Sequence, residues 1–399
     1  MKICDKNLCC GCGVCKTVCP QNAIRMTADE RGLLHPEIAE ELCVNCGLCK
    51  KRCPVLRGNP KPDPGVFASY AAWNKNTKEL KESTSGGIFW LLAKEILAQN
   101  GAVFGAVWTE DWKVRHTFAE TLEDAEKLRQ SKYMQSETGD AYLQVRDFLK
   151  AGRKVLFSGT PCQVAALHGF LGKPDPNLLT TDIICHGVPS PAVFRRYRAH
   201  LEELHHAKMT YYRFRNKVPS WADCKNEARF DNGEIHAPDL FEDPYFTAFV
   251  QNLSLRESCY SCRFANAEHP ADITIADFWG FTHNSFRFFH YQRGCSFIMV
   301  NTARGAEAFH KIMPQLVCTP RPVSEAAGVN TNLLHPQPKP ENAEIFWNRF
   351  ADPALNFAEI CNGLTSTKNL SGSAYKLLML KAKYRFLFPV KLIRRLLRR

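Results

Sequence analysis

Two cysteine runs with the same spacing occupy the first sixty residues and constrain the fold more than any other feature of the chain. Each run places four cysteines at intervals C-x2-C-x2-C-x3-C and ends in a proline. The cysteines are Cys9, Cys12, Cys15 and Cys19 in the first run, and Cys43, Cys46, Cys49 and Cys53 in the second. The two runs form an internal repeat, so we expect two equivalent ligand sets in one small domain.

This spacing is the motif of bacterial two-cluster ferredoxins. Three thiolates two residues apart hold one face of a [4Fe-4S] cluster, and the fourth, turned by proline, ligates the other cluster. A zinc site would instead need two C-x2-C pairs with tetrahedral closure, which does not explain a doubled run of four. We predict a ferredoxin domain over residues 1–56, with Cys4 and Cys10 outside the ligand set. The crossed assignment gives Cys9, Cys12, Cys15 and Cys53 to one cluster, and Cys43, Cys46, Cys49 and Cys19 to the second.

Length and composition predict a soluble globular chain of two or three domains. The 399 residues are 45% hydrophobic and 23% charged, and no run of about 20 apolar residues could span a bilayer. The first ten residues lack the apolar core of a secretory signal. Eighteen cysteines in such a chain indicate metal binding or redox chemistry rather than disulfides. We therefore expect a cytoplasmic protein.

A linker rich in proline and glycine is predicted over 57–65, and β-rich runs then alternate with helical patterns over 66–325. This alternation predicts a larger α/β domain with a mostly parallel sheet behind the α+β ferredoxin-like domain. The predicted strand KVLFSG leads into the helix PCQVAALHGFL with Thr160 as its N-cap, so Cys162 lies in the first helical turn. Cys185 follows the next predicted strand. Both cysteines thus lie at the carboxyl ends of strands, where open α/β sheets bind ligands.

A further C-x2-C pair, Cys259 and Cys262, precedes the predicted strand ADITIADFWG. With Cys162 and Cys185 it gives four thiolates, the ligand number of one more [4Fe-4S] cluster. The alternatives are a structural zinc site with the same ligands and a catalytic Cys162 with His186 as its base. The other cysteines of the body show no matching spacing and are interpreted as single core or surface residues: Cys224, Cys295, Cys318 and Cys361.

In this order the motifs resemble the beta-subunit family of coenzyme F-420 (deazaflavin) hydrogenases and dehydrogenases. The likeness covers roughly residues 1–325 and rests on STSGGIFWLLAKEIL, SKYMQS, FSGTPCQVAAL, ICHGVPSP and CYSCRFANAEHPADITIADFWG. It implies an FAD-containing α/β domain with an iron-sulfur cluster. The resemblance assigns that cluster to Cys162, Cys185, Cys259 and Cys262. It places FAD against Ser85, Gly86, Gly87, Ser131, Lys132, Tyr133, Gly159 and Thr160.

Physical reasoning supports part of the flavin assignment. A Gly-Gly loop that opens a helix lets backbone N–H groups approach a pyrophosphate. Lys132 could neutralise a phosphate or the anionic reduced flavin ring. Alternatively, the Gly-Gly loop only marks the start of the helix, and Lys132 is a solvated surface charge. Asp277, Trp279 and Gly280 are interpreted either as an aromatic core corner with a capping aspartate or as neighbours of the cofactor.

The chain ends in an extension over 326–375 and a basic tail over 376–399. Nine of the twelve net positive charges lie in the tail, which has no acidic residue. Its apolar and basic residues alternate with helical periodicity, as in segments that bind anionic membrane surfaces. An acidic partner and a solvated end are the alternatives, and a membrane-bound tail would hold the protein on the inner face of the membrane. The nearly neutral body argues against nucleic acid as a partner.

Together these features predict an iron-sulfur flavoprotein oxidoreductase. Electrons would pass between the ferredoxin clusters, a third [4Fe-4S] cluster and FAD, to or from a small acceptor. The alternative is a non-catalytic electron-transfer subunit that docks to a partner enzyme. A structural protein with zinc and no flavin is the third interpretation.

Overall fold

The computed structural model describes residues 2–58, 68–221, 223–279, 281 and 293–365. Most of the predicted linker, Gly280 and the basic tail lie outside the described residues. So does the end of the C-terminal extension.

The first 58 residues fold around a β-hairpin flanked by short helices. The elements are α1 Val14–Thr17, β1 Ile24–Ala28, β2 Leu34–Ile38, α2 Leu48–Arg52 and α3 Pro54–Arg57. Gly13 and Gly47 precede α1 and α2 with φ of 74° and 73°, a left-handed conformation that favours glycine. The sequence repeat therefore becomes a structural repeat, which places Cys15 and Cys49 in the first turns of equivalent helices.

The body is built on an eight-stranded mixed sheet. Its strands are β3 Ala68–Asn74, β4 Ala102–Trp108, β5 Val114–Ala119, β6 Val155–Ser158, β7 Leu178–Ile183, β11 Ile273–Asp277, β12 Ser296–Val300 and β13 Leu316–Pro320. The spatial order is β13-β3-β12-β11-β7-β6-β4-β5. The four central strands β11, β7, β6 and β4 pair in parallel, and the strands on both flanks pair antiparallel.

Helices cover both faces of this sheet. They are α4 Thr77–Glu82, α5 Ile88–Leu97, α6 Leu122–Glu126, α7 Ala141–Lys150, α8 Pro161–Leu171 and α11 Ala303–Ile312. Successive residues of the strands alternate between the faces. Val103 and Leu156 pack under α5 and α11, whereas Phe104 and Phe157 pack under α7 and α8. The ferredoxin module packs on α7 and α8 through α1.

A second layer follows α9 Pro191–Leu204. It contains the antiparallel strands β8 Met209–Asn216, β9 Lys225–Phe230 and β10 Ile235–His236, together with α10 Pro244–Val250, α13 Ala343–Ala351 and α14 Phe357–Cys361. Helix α12 Val323–Ala327 instead packs against β3 and β12 of the large sheet. One aromatic core joins α9, β8 and α10 to α13 and α14. The described part of the C-terminal extension therefore packs against the body. Residue 325, the predicted end of the α/β domain, lies within α12, and the domain boundaries remain a proposal.

The predicted fold class is confirmed, with parallel pairing confined to the centre of the sheet. Helix α8 has the predicted bounds, and Thr160 caps it as expected. Strand β7 ends at Ile183, two residues before Cys185. In the described ranges, no helix is long and apolar enough to cross a membrane.

Candidate cofactor site

A large cavity opens at the carboxyl ends of the central parallel strands. Its volume is about 410 Å³, within the range of ligand pockets. The segments after β6 and β7, the end of β11 and the N-terminus of α5 form its walls. This is the edge at which the sequence predicted ligand binding.

Seven of the eight residues predicted to contact FAD line this cavity. They are Ser85, Gly87, Ser131, Lys132, Tyr133, Gly159 and Thr160. The two loops that carry five of them are tied together, because the Ser131 N–H donates to Thr84 Oγ1 at 3.0 Å.

Gly86 lies behind the cavity wall. Its N–H donates to Ser296 Oγ at 2.9 Å, and its carbonyl accepts from the Asn74 N–H at 2.8 Å. A Cβ at this position would collide with the Ala72 carbonyl and would lie 2.8 Å from Ser296 N. Gly86 therefore anchors the loop to strands β3 and β12 rather than facing the cavity.

Two helix N-termini border the cavity, and they differ in their caps. At α8, Thr160 and Gln163 form a capping box, in which the Thr160 N–H donates to Gln163 Oε1 at 3.0 Å. The N-cap of helix α5 is Gly87, which has φ of 83° and provides no side-chain cap. The first N–H groups of α5 therefore stay available to an anion, and the positive end of the helix dipole favours one.

Lys132 is half-buried in the cavity wall. Its Nζ donates to the carbonyls of Arg129 at 2.7 Å and of Lys127 at 3.2 Å. Desolvation lowers the pKa of Lys132 from 10.5 to about 7. An anionic ligand in the cavity would favour its charged form.

Arg215, which sequence reasoning missed, organises the far end of the cavity. Its guanidinium pairs with the Asp277 carboxylate, reaching Oδ1 at 3.2 Å, and donates to Tyr133 OH at 3.1 Å. Trp279 stacks on Trp221 with ring centroids 4.0 Å apart and lies 5.0 Å from Arg215. Asp277 and Trp279 both line the cavity. No local motif marks Arg215, because its partners come from other parts of the chain.

A second, smaller cavity of about 50 Å³ lies beside the first. The four cysteines predicted to hold a third cluster line it, and so does Cys10. They are Cys162, Cys185, Cys259 and Cys262. Sequence reasoning missed Cys10, which falls inside the first ferredoxin run but off its spacing. Five cysteines thus surround one small cavity where the ferredoxin module meets the body.

The two cavities share a wall formed by Thr160 and the segment 185–188. His186 in this wall is half-buried, and its Nε2 atom is buried without a hydrogen-bond partner. Burial lowers the pKa of His186 to about 4. Its ring is therefore neutral, with one nitrogen free to donate to or accept from a ligand.

In the ferredoxin module, one of the two predicted ligand sets comes together in the crossed combination. Cys19 from the first run lines a small cavity of about 20 Å³ with all three leading cysteines of the second run. At the other position, Cys4 hydrogen-bonds both Cys53 and Cys9, which raises its pKa. Cys46 is exposed, whereas Cys9 and Cys53 are buried. The second-run site is therefore the outer one, and the site of Cys9 is the inner one.

No three His, Cys, Asp or Glu side chains in the described part of the chain form a group that could hold a single metal ion. The features that indicate iron-sulfur clusters are the spacing of the cysteines and the cavities that they line.

Comparison with known protein families finds matches to two segments of the chain. Residues 8–56 match the 4Fe-4S dicluster domain, and residues 152–326 match the C terminus of the coenzyme F420 hydrogenase/dehydrogenase beta subunit. The chain thus carries one segment similar to a 4Fe-4S dicluster domain and a second segment similar to the C terminus of that beta subunit. The resemblance drawn from the sequence motifs is confirmed, and the chain is an iron-sulfur protein related to an oxidoreductase subunit.

Among solved structures, a chain of the F420-reducing [NiFe] hydrogenase complex from Methanosarcina barkeri is similar. It is 18% identical, the match covers 65% of this chain and 84% of that chain, and the TM-score is 0.43. No curated protein matches this chain.

Proposed function

We propose that this chain is an iron-sulfur flavoprotein oxidoreductase that passes electrons between its ferredoxin clusters, a third [4Fe-4S] cluster and FAD, to or from a small acceptor. One observation carries the proposal. The cysteine-lined cavity lies between the inner ferredoxin site and the large cavity and shares a wall with the latter. Redox centres held in these sites would form a continuous series.

The residues of the smaller cavity fit a cluster. Cys162, Cys185, Cys259 and Cys262 supply four sulfur ligands, the donor set of a [4Fe-4S] centre. Residues of both modules line the cavity and the four cysteines are partly buried, so the modules together would limit contact between the centre and water. Burial of this kind, with hydrogen bonds to sulfur, sets the potential of such centres.

The residues of the large cavity fit FAD. The uncapped N-terminus of α5 offers N–H groups to the pyrophosphate, and Lys132 offers a cation beside it. The unpartnered Nε2 of His186 lies in the wall nearest the cysteines and could donate to or accept from a ring heteroatom. FAD supplies conversion between one-electron and two-electron chemistry when bound. Arg215, Tyr133 and Trp279 at the other end would orient an acceptor or the remainder of the cofactor.

A non-catalytic electron-transfer subunit is the second candidate. Leu42 and Val44 beside the outer cysteines are 51% and 60% exposed, and such apolar side chains favour contact with a protein partner. A redox partner at this end is compatible with both functions. Steady turnover of a small acceptor by the isolated chain would favour the enzyme, because a pure relay needs its partner.

We further propose a cytoplasmic location, with the tail 376–399 able to bind an anionic membrane surface. The charge and periodicity of the tail in the sequence support this assignment.

The proposal can be tested by mixing the anaerobic protein with a reduced ferredoxin, a donor too large to enter the cavity. We expect flavin absorbance to bleach in the parent chain and to bleach more slowly in Cys262→Ala, which lacks one ligand of the third cluster. Equal bleaching rates in the two proteins would contradict the proposed electron route.

A further inference from the structure

Arg256 is buried where the ferredoxin module meets the body, with 1% of its surface exposed. Its Nε donates to the Cys9 carbonyl at 2.6 Å, and its Nη2 donates to the Leu34 carbonyl at 2.9 Å. On the body side, Nη1 donates to Gln135 Oε1 at 3.0 Å. These acceptors are neutral, and the guanidinium holds the backbone of the first cysteine run against the body.

Among the described residues, none forms a direct ion pair with this cation. Across the residues that the structure describes, no carboxylate lies within 4.0 Å of the Arg256 guanidinium. Its Nη2 contacts the ring of His35 at 3.2 Å, and the Nε2 of that ring lies 3.2 Å from Asp29. A buried charge that is not compensated is costly. The fold therefore keeps a cation in a place where protein carboxylates do not balance it directly.

The surroundings of Arg256 indicate what balances it. Its side chain lines the same cavity as Cys162, Cys185, Cys259 and Cys262. It also bonds the backbone of Cys9, the first ligand of the inner ferredoxin site. Four thiolates around a [4Fe-4S] core give an anionic centre, and nearby charge is one factor that sets its potential.

Gly11 leaves space for the Arg256 side chain because it has no Cβ. It has φ of 65°, and an added Cβ would collide with Gln135 and would lie 2.8 Å from Nη1 of Arg256. The glycine inside the first cysteine run thus leaves room for the guanidinium beside the inner site.

We propose that Arg256 is a shared counter-charge for the inner ferredoxin cluster and the third cluster, and that it raises the reduction potentials of both. The part that concerns the third cluster rests on the proposed function. Each centre takes up one electron on reduction, the guanidinium stays protonated, and its positive charge stabilises the reduced, more negative form.

The test is a potentiometric titration of the cluster signals by electron paramagnetic resonance on the anaerobic full chain. Arg256→Gln should shift the reduction equilibrium of the inner and third clusters at least about tenfold toward the oxidised form, which is about 59 mV for one electron. Arg256→Lys keeps the charge and should stay within about threefold of the parent. The outer cluster, identified by its loss in Cys43→Ser, should not shift.

Gln135→Glu provides a second approach that retains Arg256. It introduces a carboxylate beside Nη1, so it should lower the same two potentials even where Arg256→Gln does not assemble. Arg196 is the matched control, because the carbonyls of Leu355 and Asp352 hold its guanidinium at 2.7 and 3.2 Å on α9. Arg196→Gln should change stability and no potential.

Unchanged potentials in both Arg256→Gln and Gln135→Glu would overturn the proposal, and so would an Arg256→Lys shift as large as that of Arg256→Gln. The iron content of the parent separates this result from the proposed function. About eight irons would reject the third cluster, while the effect of Arg256 on the inner ferredoxin cluster would still be measured.

Discussion

Substitution of Gly86 by alanine tests whether this residue supports the cavity wall or touches the cofactor. The Gly86 N–H bonds Ser296 Oγ at 2.9 Å, and its carbonyl bonds the Asn74 N–H at 2.8 Å. The alanine Cβ would collide with the backbone of Ala72 on β3 and would lie 2.8 Å from both Ser296 N and Ser296 Oγ. Two of these three contacts are with backbone atoms, so a rotamer change cannot relieve the clash.

The expected cost follows from these contacts. Loss of two hydrogen bonds contributes about 1–3 kcal/mol, and overpacking adds about 1–3 kcal/mol. Gly86→Ala should therefore lower the free energy of unfolding by about 2–6 kcal/mol. It should also displace Gly87 and the N-terminus of α5, and so reduce the flavin that is retained on purification.

The assay is urea unfolding of the anaerobic protein, read as a shift of the midpoint at constant m-value, with flavin measured on the same samples. Gly328→Ala is the matched control. Gly328 has φ of −60°, and its added Cβ would lie 3.7 Å from the Glu325 carbonyl, so the change should stay within about 0.5 kcal/mol. Loss of flavin from Gly86→Ala at unchanged stability would refute this reasoning and would favour direct contact between Gly86 and the cofactor.

Three further predictions concern charge, ligation and the tail. Burial lowers the pKa of Lys132 from 10.5 to about 7, so between these pH values the unfolded chain binds more protons and the free energy of unfolding rises with pH. Lys132→Met should reduce this rise, measured as urea midpoints at several pH values. An unchanged dependence of the midpoint on pH would contradict the prediction. Cys19→Ser combined with Cys43→Ser should lose about four irons, and Cys19→Ser combined with Cys9→Ser about eight; the reverse pattern would reject the crossed ligation. Removal of residues 376–399 should abolish sedimentation with anionic vesicles, and undiminished sedimentation would rule out membrane binding by the tail.

Local signals predicted the parts of the structure that depend on neighbours in sequence. Thr160 and Pro161 set the start of α8, and the crossed assignment predicted that Cys19 lies with the leading cysteines of the second run. The position of Gly86 could not be read in this way. It depends on β12 lying beside β3 in the antiparallel flank of the sheet, whereas the sequence indicated a mostly parallel sheet.

The sequence also could not predict which side chains connect distant segments of the chain. Arg256 and Cys9 are 247 positions apart, and Arg215 and Asp277 are 62 apart. Neither arginine belongs to a motif with recognisable spacing. Cys10 looked like a residue outside the ligand pattern, because only the packing of the ferredoxin module against α8 brings it to the cavity of Cys162.

The most direct test of the account is the iron, zinc and flavin content of protein purified without oxygen, compared with Cys162→Ala and with the control Cys318→Ala. Cys318 lies on β13 and carries no predicted ligand role. We expect about twelve irons and one FAD in the parent and the control, and about eight irons in Cys162→Ala. About eight irons in all three proteins, without flavin, would contradict the central claim.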